Sequence, residues 1–509
     1  MPGSGNLRVV AKNTAYNFFT QVFVIAVSFL SFPILVRKLS ADGFGLLSLI
    51  WIVVGYFSLL DLGVSRAITK YVAEALAAGD RPLIRRICWT SLSLSAIVGA
   101  VVGLALLAAI GPVISGVFHI PAAMAGEAYA SLVIAAFGIP LMLANGMIRG
   151  IQSAYQRFDM VNAFQAVMGL AQWLGSVAIV LMGGGVFHVV LLTVVIRVVA
   201  AAAGVWLLRS LDEGIFTGIR LWDGHLAKRL LSFGGWVSVS QVVSPLFIYL
   251  DRLMIGSFLA LTAVAYYTVP QETVMRMLVL PLSLTTALYP VFSGGTVSPG
   301  GQLTSGALYT RSVLYIALIA LPLTAVLVLV APEVLTLWMG KEFSAASSLS
   351  LRILACGFCI SSVAQVPFTA LHAFGRPDLT AKYHAAELPL MVALNLLLIP
   401  VLGIAGAALA SLVRVTLDAI LLFRGVRRHI AFPGIPGRAA FWTSRGTALM
   451  VLLALLIAAA LAVGSSVVRV SAAALFLPAY ALFVWRYALN DGDKQLMMRL
   501  RARFVGGIS

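Results

Sequence analysis

Apolar runs of about twenty residues recur along this chain from residue 13 to residue 487, and no soluble fold accommodates so many of them. One such run, wound as an α-helix, crosses the roughly 30 Å of hydrocarbon in a bilayer while its backbone polar groups satisfy one another within the segment. Windows of about 19 residues mark fourteen spans, at roughly 13–36, 43–64, 87–111, 128–148, 160–182, 185–207, 233–257, 263–290, 311–331, 349–372, 384–401, 404–424, 440–463 and 467–487. The composition agrees: 61% of the side chains are apolar and 10% charged, where soluble domains carry about 25% charged residues. Membrane β-barrels are excluded because their strands alternate polar and apolar residues. The fold class is therefore an all-α polytopic membrane protein. The first span is too long for a signal-peptide core and ends at Arg37-Lys38 without a small-residue cleavage site, so it is expected to stay attached.

A net charge of +17 would suit nucleic acid, but the cations fall in clusters between apolar runs instead of along one face or tail. Clusters of that kind mark loops beside an anionic leaflet. With the N-terminus cytoplasmic, 25 of the 35 Lys and Arg lie on that side and 5 on the other. An even number of spans then places both termini inside. Of the three cysteines, Cys356 and Cys359 have CxxC spacing but sit within an apolar run, where buried small residues are expected rather than a redox pair.

An internal repeat is present at a shift of about 220 residues. Gln21 maps to Gln241, Leu39 to Leu259, Gly45 to Ala265 and Ala67 to Ala287; AYQRFDM at 154–160 maps to AFGRPDL at 373–379, and Arg197 to Arg414. The chain divides into a six-helix lobe at 1–210, a second at 211–430 and an additional two-helix hairpin with a tail at 431–509. Because six is even, both halves enter the membrane in the same direction and are related by an axis along the membrane normal.

Charges inside a span cost about 2.5–3.5 kcal/mol each on insertion scales, which makes those present functional candidates. Asp251, Arg252, Glu272 and Arg276 on spans seven and eight form the densest group. Glu272 and Arg276 are one helical turn apart and can pair. This group reads either as a salt-bridge lock between packed helices or as a cavity lining that faces a ligand or a proton. Arg414 and Asp418 are again one turn apart and suit packing, whereas Arg197 has no acid within one turn and needs a partner from elsewhere. Asp61 closes span two, where a helix-end contact is expected, and Glu387 is expected near the inner end of span eleven, reaching water. Asn13, Asn17 and Gln21 make a polar stripe on span one, and Ser238 with Gln241 occupies the equivalent part of span seven. Such stripes avoid lipid, through helix packing or a hydrated cavity. Pro281 and Pro322, among others, interrupt spans and free backbone carbonyls.

No P-loop motif, H-E-x-x-H or clustered Cys and His ligands are present, so no cofactor, metal or catalytic residue is assigned. The longest outer loops, roughly 112–127 and 332–348, carry only Glu127, Glu333 and Glu342 as acids, little for an enzyme of glycan assembly to work with. Catalysis has little to work with, and a membrane enzyme and a non-transporting scaffold stay as alternatives to transport.

The segments FLSFPILVRKLSADGFGLLSLI, LLDLGVSRAITKYVAE, HLAKRLLSFGGWVSVSQ, YLDRLMIGSFL and LNLLLIPVLGIAGAALASLV resemble the Wzx-type polysaccharide flippases, within the superfamily of the MATE multidrug exporters and the lipid II flippases. The likeness covers nearly the whole chain. It departs at Leu39-Ser40, where the family often has Leu-Gly, and at SFLALTAVAYY. By resemblance, the fold is two MATE-like six-helix lobes around a cavity lined by spans one, two, seven and eight, with spans thirteen and fourteen as a pair beside it. The implied substrate is a polyprenyl-diphosphate-linked oligosaccharide moved to the outer leaflet of the cytoplasmic (inner) membrane. Arg276 and Arg252, with Gln21, Gln241 and Asn17, are then expected to bind it, and Asp251 and Glu272 to orient the arginines. A glycan polymerase and glycosyltransferases are the implied protein partners, beside membrane lipid. The alternatives are a cation-coupled drug exporter of the MATE type and a lipid II flippase.

Overall fold

Helix boundaries in this chain are set by capping side chains, prolines and a few left-handed turn residues. A computed structural model describes the backbone of residues 4–58, 64–212, 214–215, 222–293, 305–430, 465–489 and 494–495. Side chains are described for the same residues except 4–21, 56–58, 64, 158, 159, 233–245, 286, 287, 289–291, 293, 305 and 488. The helices are α1 (Ser4–Ser58), α2 (Val64–Ala77), α3 (Arg81–Pro112), α4 (Ala122–Ala154), α5 (Phe158–Leu181), α6 (Val186–Leu211) and α7 (Gly224–Phe258). They continue with α8 (Leu261–Met277), α9 (Val279–Ser293), α10 (Ser305–Met339), α11 (Lys341–Ala373), α12 (Pro377–Leu402), α13 (Ile404–His429) and α14 (Ser466–Phe483). Among the described residues ten helices are long and apolar enough to cross a membrane.

These ten account for eleven of the fourteen expected spans, because α1 contains two. Its 55 residues would stretch about 80 Å at 1.5 Å per residue, far beyond one bilayer. Ser40 divides it, with φ 67° and ψ 167°, and the Ser40 hydroxyl accepts the Gly43 N–H at 3.2 Å to start the second half. Span seven is α7. Span eight, expected as one helix, is two: α8 stops at Met277 and α9 starts at Val279. Pro281 cannot donate to the Met277 carbonyl, which ends the helical ladder there. Span thirteen lies outside the described residues. One element was not foreseen: after span two, α2 is a short amphipathic helix whose Ala67, Ile68, Tyr71, Val72 and Ala75 form a single buried face.

The expected outer loops are largely helical. α10 and α11 are separated by Gly340 alone, so Glu333 and Glu342 both lie on helices. Large apolar side chains such as Leu30, Leu104, Phe137, Leu337 and Val401 are exposed along the helices. That amount of bare hydrocarbon is stable against lipid and not against water.

The chain forms two compact units, residues 1–269 with 384–407, and 270–383 with 408–509. In the first, Ala67, Ile68, Ile84, Ile87, Met147, Ile151, Leu208 and Leu230 knit α2, α3, α4, α6 and α7 into one core. The Thr69 hydroxyl of α2 donates to the Gly150 carbonyl of α4 at 2.9 Å, and the Arg229 guanidinium of α7 sits 4.4 Å from the centre of the Tyr71 ring. In the second unit, Phe292, Tyr309, Ile316, Val366, Leu371, Leu422 and Val426 join α9, α10, α11 and α13.

The repeat leaves matching turns. Gln156 (φ 58°) and Gly375 (φ 72°) occupy the same place in AYQRFDM and AFGRPDL. In each, the next amide reaches back five residues, Arg157 N–H to the Gln152 carbonyl at 3.2 Å and Arg376 N–H to the Leu371 carbonyl at 2.8 Å. Gly183 (φ 88°) and Gly403 (φ 59°), 220 residues apart, play the same part at the next turn of each half.

Candidate functional site

Each charged residue singled out within the spans belongs to one of the two units. In the first, Asp251 on α7 is fully buried. Its two oxygens accept the Tyr267 hydroxyl of α8 at 2.7 Å and the Asn395 side-chain amide of α12 at 3.0 Å. Tyr267 and Asn395 are themselves fully buried, so three helices of the unit meet on one carboxylate. Neighbouring Arg252 is 4% exposed. The sequence reading missed Asn395. Its only signal there was a lone amide in the apolar run LNLLLIP.

In the second unit, Arg276 Nη2 lies 3.4 Å from Glu272 Oε2, as their one-turn spacing requires. Both are only partly buried, with side-chain exposures of 18% and 29%. The pair stands at the C-terminal end of α8, one residue before the break that Pro281 enforces. A cation there also faces the negative end of the helix dipole. Arg414 and Asp418 lie half-buried one turn apart on α13.

Arg197 on α6 lines a cavity in the first unit between α4, α5 and α6, together with Asn145, Arg149 and Gln152. The Asn145 side-chain amide donates to the Arg197 carbonyl at 3.0 Å and holds α4 against α6.

Two expectations are corrected. Glu387 was placed near a helix end within reach of water, but α12 begins at Pro377, so Glu387 stands ten residues into the helix and is fully buried. Cys356 was expected to be buried and is exposed on α11; it forms no disulfide with half-buried Cys359, and of the three cysteines Cys88 alone is buried. Asp61, and the side chains of Asn13, Asn17, Gln21, Ser238 and Gln241, lie outside the described residues.

Comparison with known proteins bears on what such a site serves. The profile of the family described as "Polysaccharide biosynthesis protein" matches residues 10–295. A protein of Shigella flexneri, whose name assigns it to O-antigen transport, is 27% identical over 423 residues, covering 81% of this chain and 96% of its own length. Among solved structures, the lipid II flippase MurJ superposes with a TM-score of 0.70 at 11% identity, covering 94% of this chain and 100% of its own. An inward-facing multidrug resistance MATE transporter superposes with a TM-score of 0.65 at 16% identity, covering 80% of this chain and 97% of its own. These likenesses show the architecture, a helical fold of the MATE and MurJ kind.

Proposed function

Because the chain belongs to the polysaccharide biosynthesis protein family, we propose that it is a flippase, moving a polyprenyl-diphosphate-linked oligosaccharide across the cytoplasmic membrane to the outer leaflet. The relative named for O-antigen transport and the fold shared with a lipid II flippase support that reading. In it the chain is a transporter and not an enzyme, both termini are cytoplasmic, and the sugar-assembly enzymes are its functional neighbours.

The observation that carries the reading is the Arg276–Glu272 pair. A guanidinium offers a fork of donors that matches phosphate oxygens, and here the Glu272 carboxylate lies 3.4 Å from it in a partly exposed setting. An incoming diphosphate competes for Arg276 and displaces Glu272. The two states then differ by which anion Arg276 faces, which is a differential interaction of the kind that shifts a conformational equilibrium. Protonation of the released Glu272 lowers the cost of leaving it unpaired and offers one route to proton coupling. An inside-negative potential favours outward movement of an anionic headgroup by about 2.3 kcal/mol per charge per 100 mV, for charge crossing the full field. Arg252 is a second candidate for phosphate. Asp251, bonded by Tyr267 and Asn395, serves in this proposal as an anchor of the first unit.

The test compares Arg276→Lys, Arg276→Ala and the Glu272→Gln/Arg276→Ala double variant at matched membrane expression, scoring movement of the lipid-linked oligosaccharide. Arg276→Ala is expected to lose at least tenfold in rate, Arg276→Lys less, and the double variant to remain inactive. Normal transport by Arg276→Ala removes the binding role. Full rescue in the double variant reduces the pair to a packing lock.

A further inference from the structure

The first unit holds a second cationic pocket. The cavity between α4, α5 and α6 has a volume of about 180 Å³, more than ten times what one water needs. Two guanidiniums, Arg149 and Arg197, line it, and no acidic residue does so among the described residues. Arg197 Nε is buried without a hydrogen-bond partner. Gln152, 1% exposed, also lines the cavity, and neither its amide nitrogen nor its oxygen finds a partner. Buried polar atoms are almost always satisfied, so three such atoms from two residues on one cavity wall mark a place where a polar ligand completes the structure.

The repeat sharpens the point. Arg414, the counterpart of Arg197, has Asp418 one turn further along its own helix, whereas Ala201 stands at the equivalent place in the first half. By sequence spacing the second half has an acid within one turn of that arginine, and the first half has none within one turn of Arg197. Arg197 lies about 21 Å from the C-terminal end of α6, at 1.5 Å per residue, and is therefore deep among the membrane helices. Arg149 and Gln165 on the same cavity are exposed, which gives it a mouth. Beside it, Val167 and Leu174 on α5 and Val198 and Val199 on α6 are exposed apolar side chains, a surface suited to hydrocarbon.

We propose that this cavity binds the phosphate of a lipid, with Arg197 and Arg149 as donors to its oxygens, Gln152 completing the site, and the acyl or prenyl chain lying on the exposed apolar faces of α5 and α6. The ligand is either a membrane glycerophospholipid or the phosphate end of a polyprenyl carrier, since both present the same group. Arg276 is not among the residues that line it, and the proposal stands whether or not Arg276 binds substrate.

The full-length protein, purified in a neutral detergent, would be examined by native mass spectrometry and tryptophan fluorescence with four probes: dihexanoyl phosphatidylglycerol, farnesyl diphosphate, inorganic phosphate and uncharged dihexanoylglycerol. At least one phosphate-bearing lipid is expected to bind and dihexanoylglycerol is not. Binding is expected to weaken at least tenfold in Arg197→Gln and severalfold in Gln152→Leu, and to be unchanged in Arg276→Gln. Preference for phosphatidylglycerol assigns the site to membrane lipid, and preference for farnesyl diphosphate to the carrier. Because Gln152→Leu removes two unsatisfied buried polar atoms at similar volume, its thermal midpoint is expected to equal or exceed that of the unaltered protein, which separates loss of ligand from loss of fold. The proposal is overturned by equal binding of dihexanoylglycerol, by inorganic phosphate binding while neither lipid does, by retained binding in both cavity variants, or by its loss in Arg276→Gln.

Discussion

Asp223 performs two tasks at the start of α7. Its Oδ1 accepts the Leu226 N–H at 3.0 Å as an N-cap, and its other oxygen pairs with Arg86 of α3, so one carboxylate both begins a helix and ties it to a neighbour. These contacts, the Leu226 hydrogen bond first and Arg86 next, hold its pKa below the ordinary carboxylate value despite its exposure. A depressed folded-state pKa gives stability that is present above the unfolded value, near 3.9, and is lost as pH falls through the folded one. The thermal midpoint of the unaltered protein should therefore exceed that of Asp223→Asn by a constant margin above about pH 5, narrowing below about pH 4; a margin that grows on acidification contradicts the assignment. The capping role went unread, because span seven was placed from residue 233, ten residues beyond Asp223. The pairing with Arg86 was not, because 137 residues separate the two. Asp251 and Asn395, 144 residues apart, escaped for the same reason. Gln156 hid its left-handed turn by not being glycine, and the recurrence of Gly183 and Gly403 at the repeat shift was a signal left unread.

Prolines shape the elements of the second unit by handing carbonyls to side chains. In α10, Pro322 and Pro332 remove the amides that would bond the Leu318 and Val328 carbonyls. Leu318 accepts the Tyr480 hydroxyl of α14 at 3.1 Å instead, and Val328 accepts Arg352 Nε of α11 at 3.0 Å. Arg469 of α14 also donates to Glu333 Oε1 of α10 through Nη2 at 2.6 Å and Nε at 2.9 Å. A nearly featureless apolar helix is thus docked by two polar contacts and a small apolar patch around Leu329 and Ala473. Arg469→Ala should weaken the docking of α14 by about 3 kcal/mol, because it leaves Glu333 without its partner in a partly buried place. Tyr480→Phe should cost about 1 kcal/mol. Hydrogen exchange of α14 amides is the measurement, and unchanged exchange in both variants refutes the docking account. From the sequence, the prolines were visible as interruptions, but the side chains that use the freed carbonyls come from other helices and left no local sign. The α8–α9 break was visible only as Pro281, and α2 was missed because its one buried face is too short and too polar for a span.

For the whole molecule, the apolar runs carried most of the fold, because lipid leaves a helix no alternative way to satisfy its backbone. The arrangement of charges gives an expected orientation: the span map assigns 25 cations to the cytoplasmic side and 5 to the other, so reporters fused after Arg85 and after Ala122 should give opposite signals, and equal signals would refute the map. Function needed the family match, since a transporter's substrate is written in a few polar side chains whose partners are distant in the chain. The central claim, that this fold moves a lipid-linked oligosaccharide, is tested most directly in proteoliposomes carrying a fluorescent polyprenyl-diphosphate oligosaccharide. Protection of the sugar from a membrane-impermeant quencher would be followed over time. The account predicts protein-dependent transfer between leaflets, at least tenfold slower with Arg276→Ala and absent for the same glycan on an uncharged lipid. Export of a small cationic drug from the same liposomes, with no movement of the glycolipid, would contradict it.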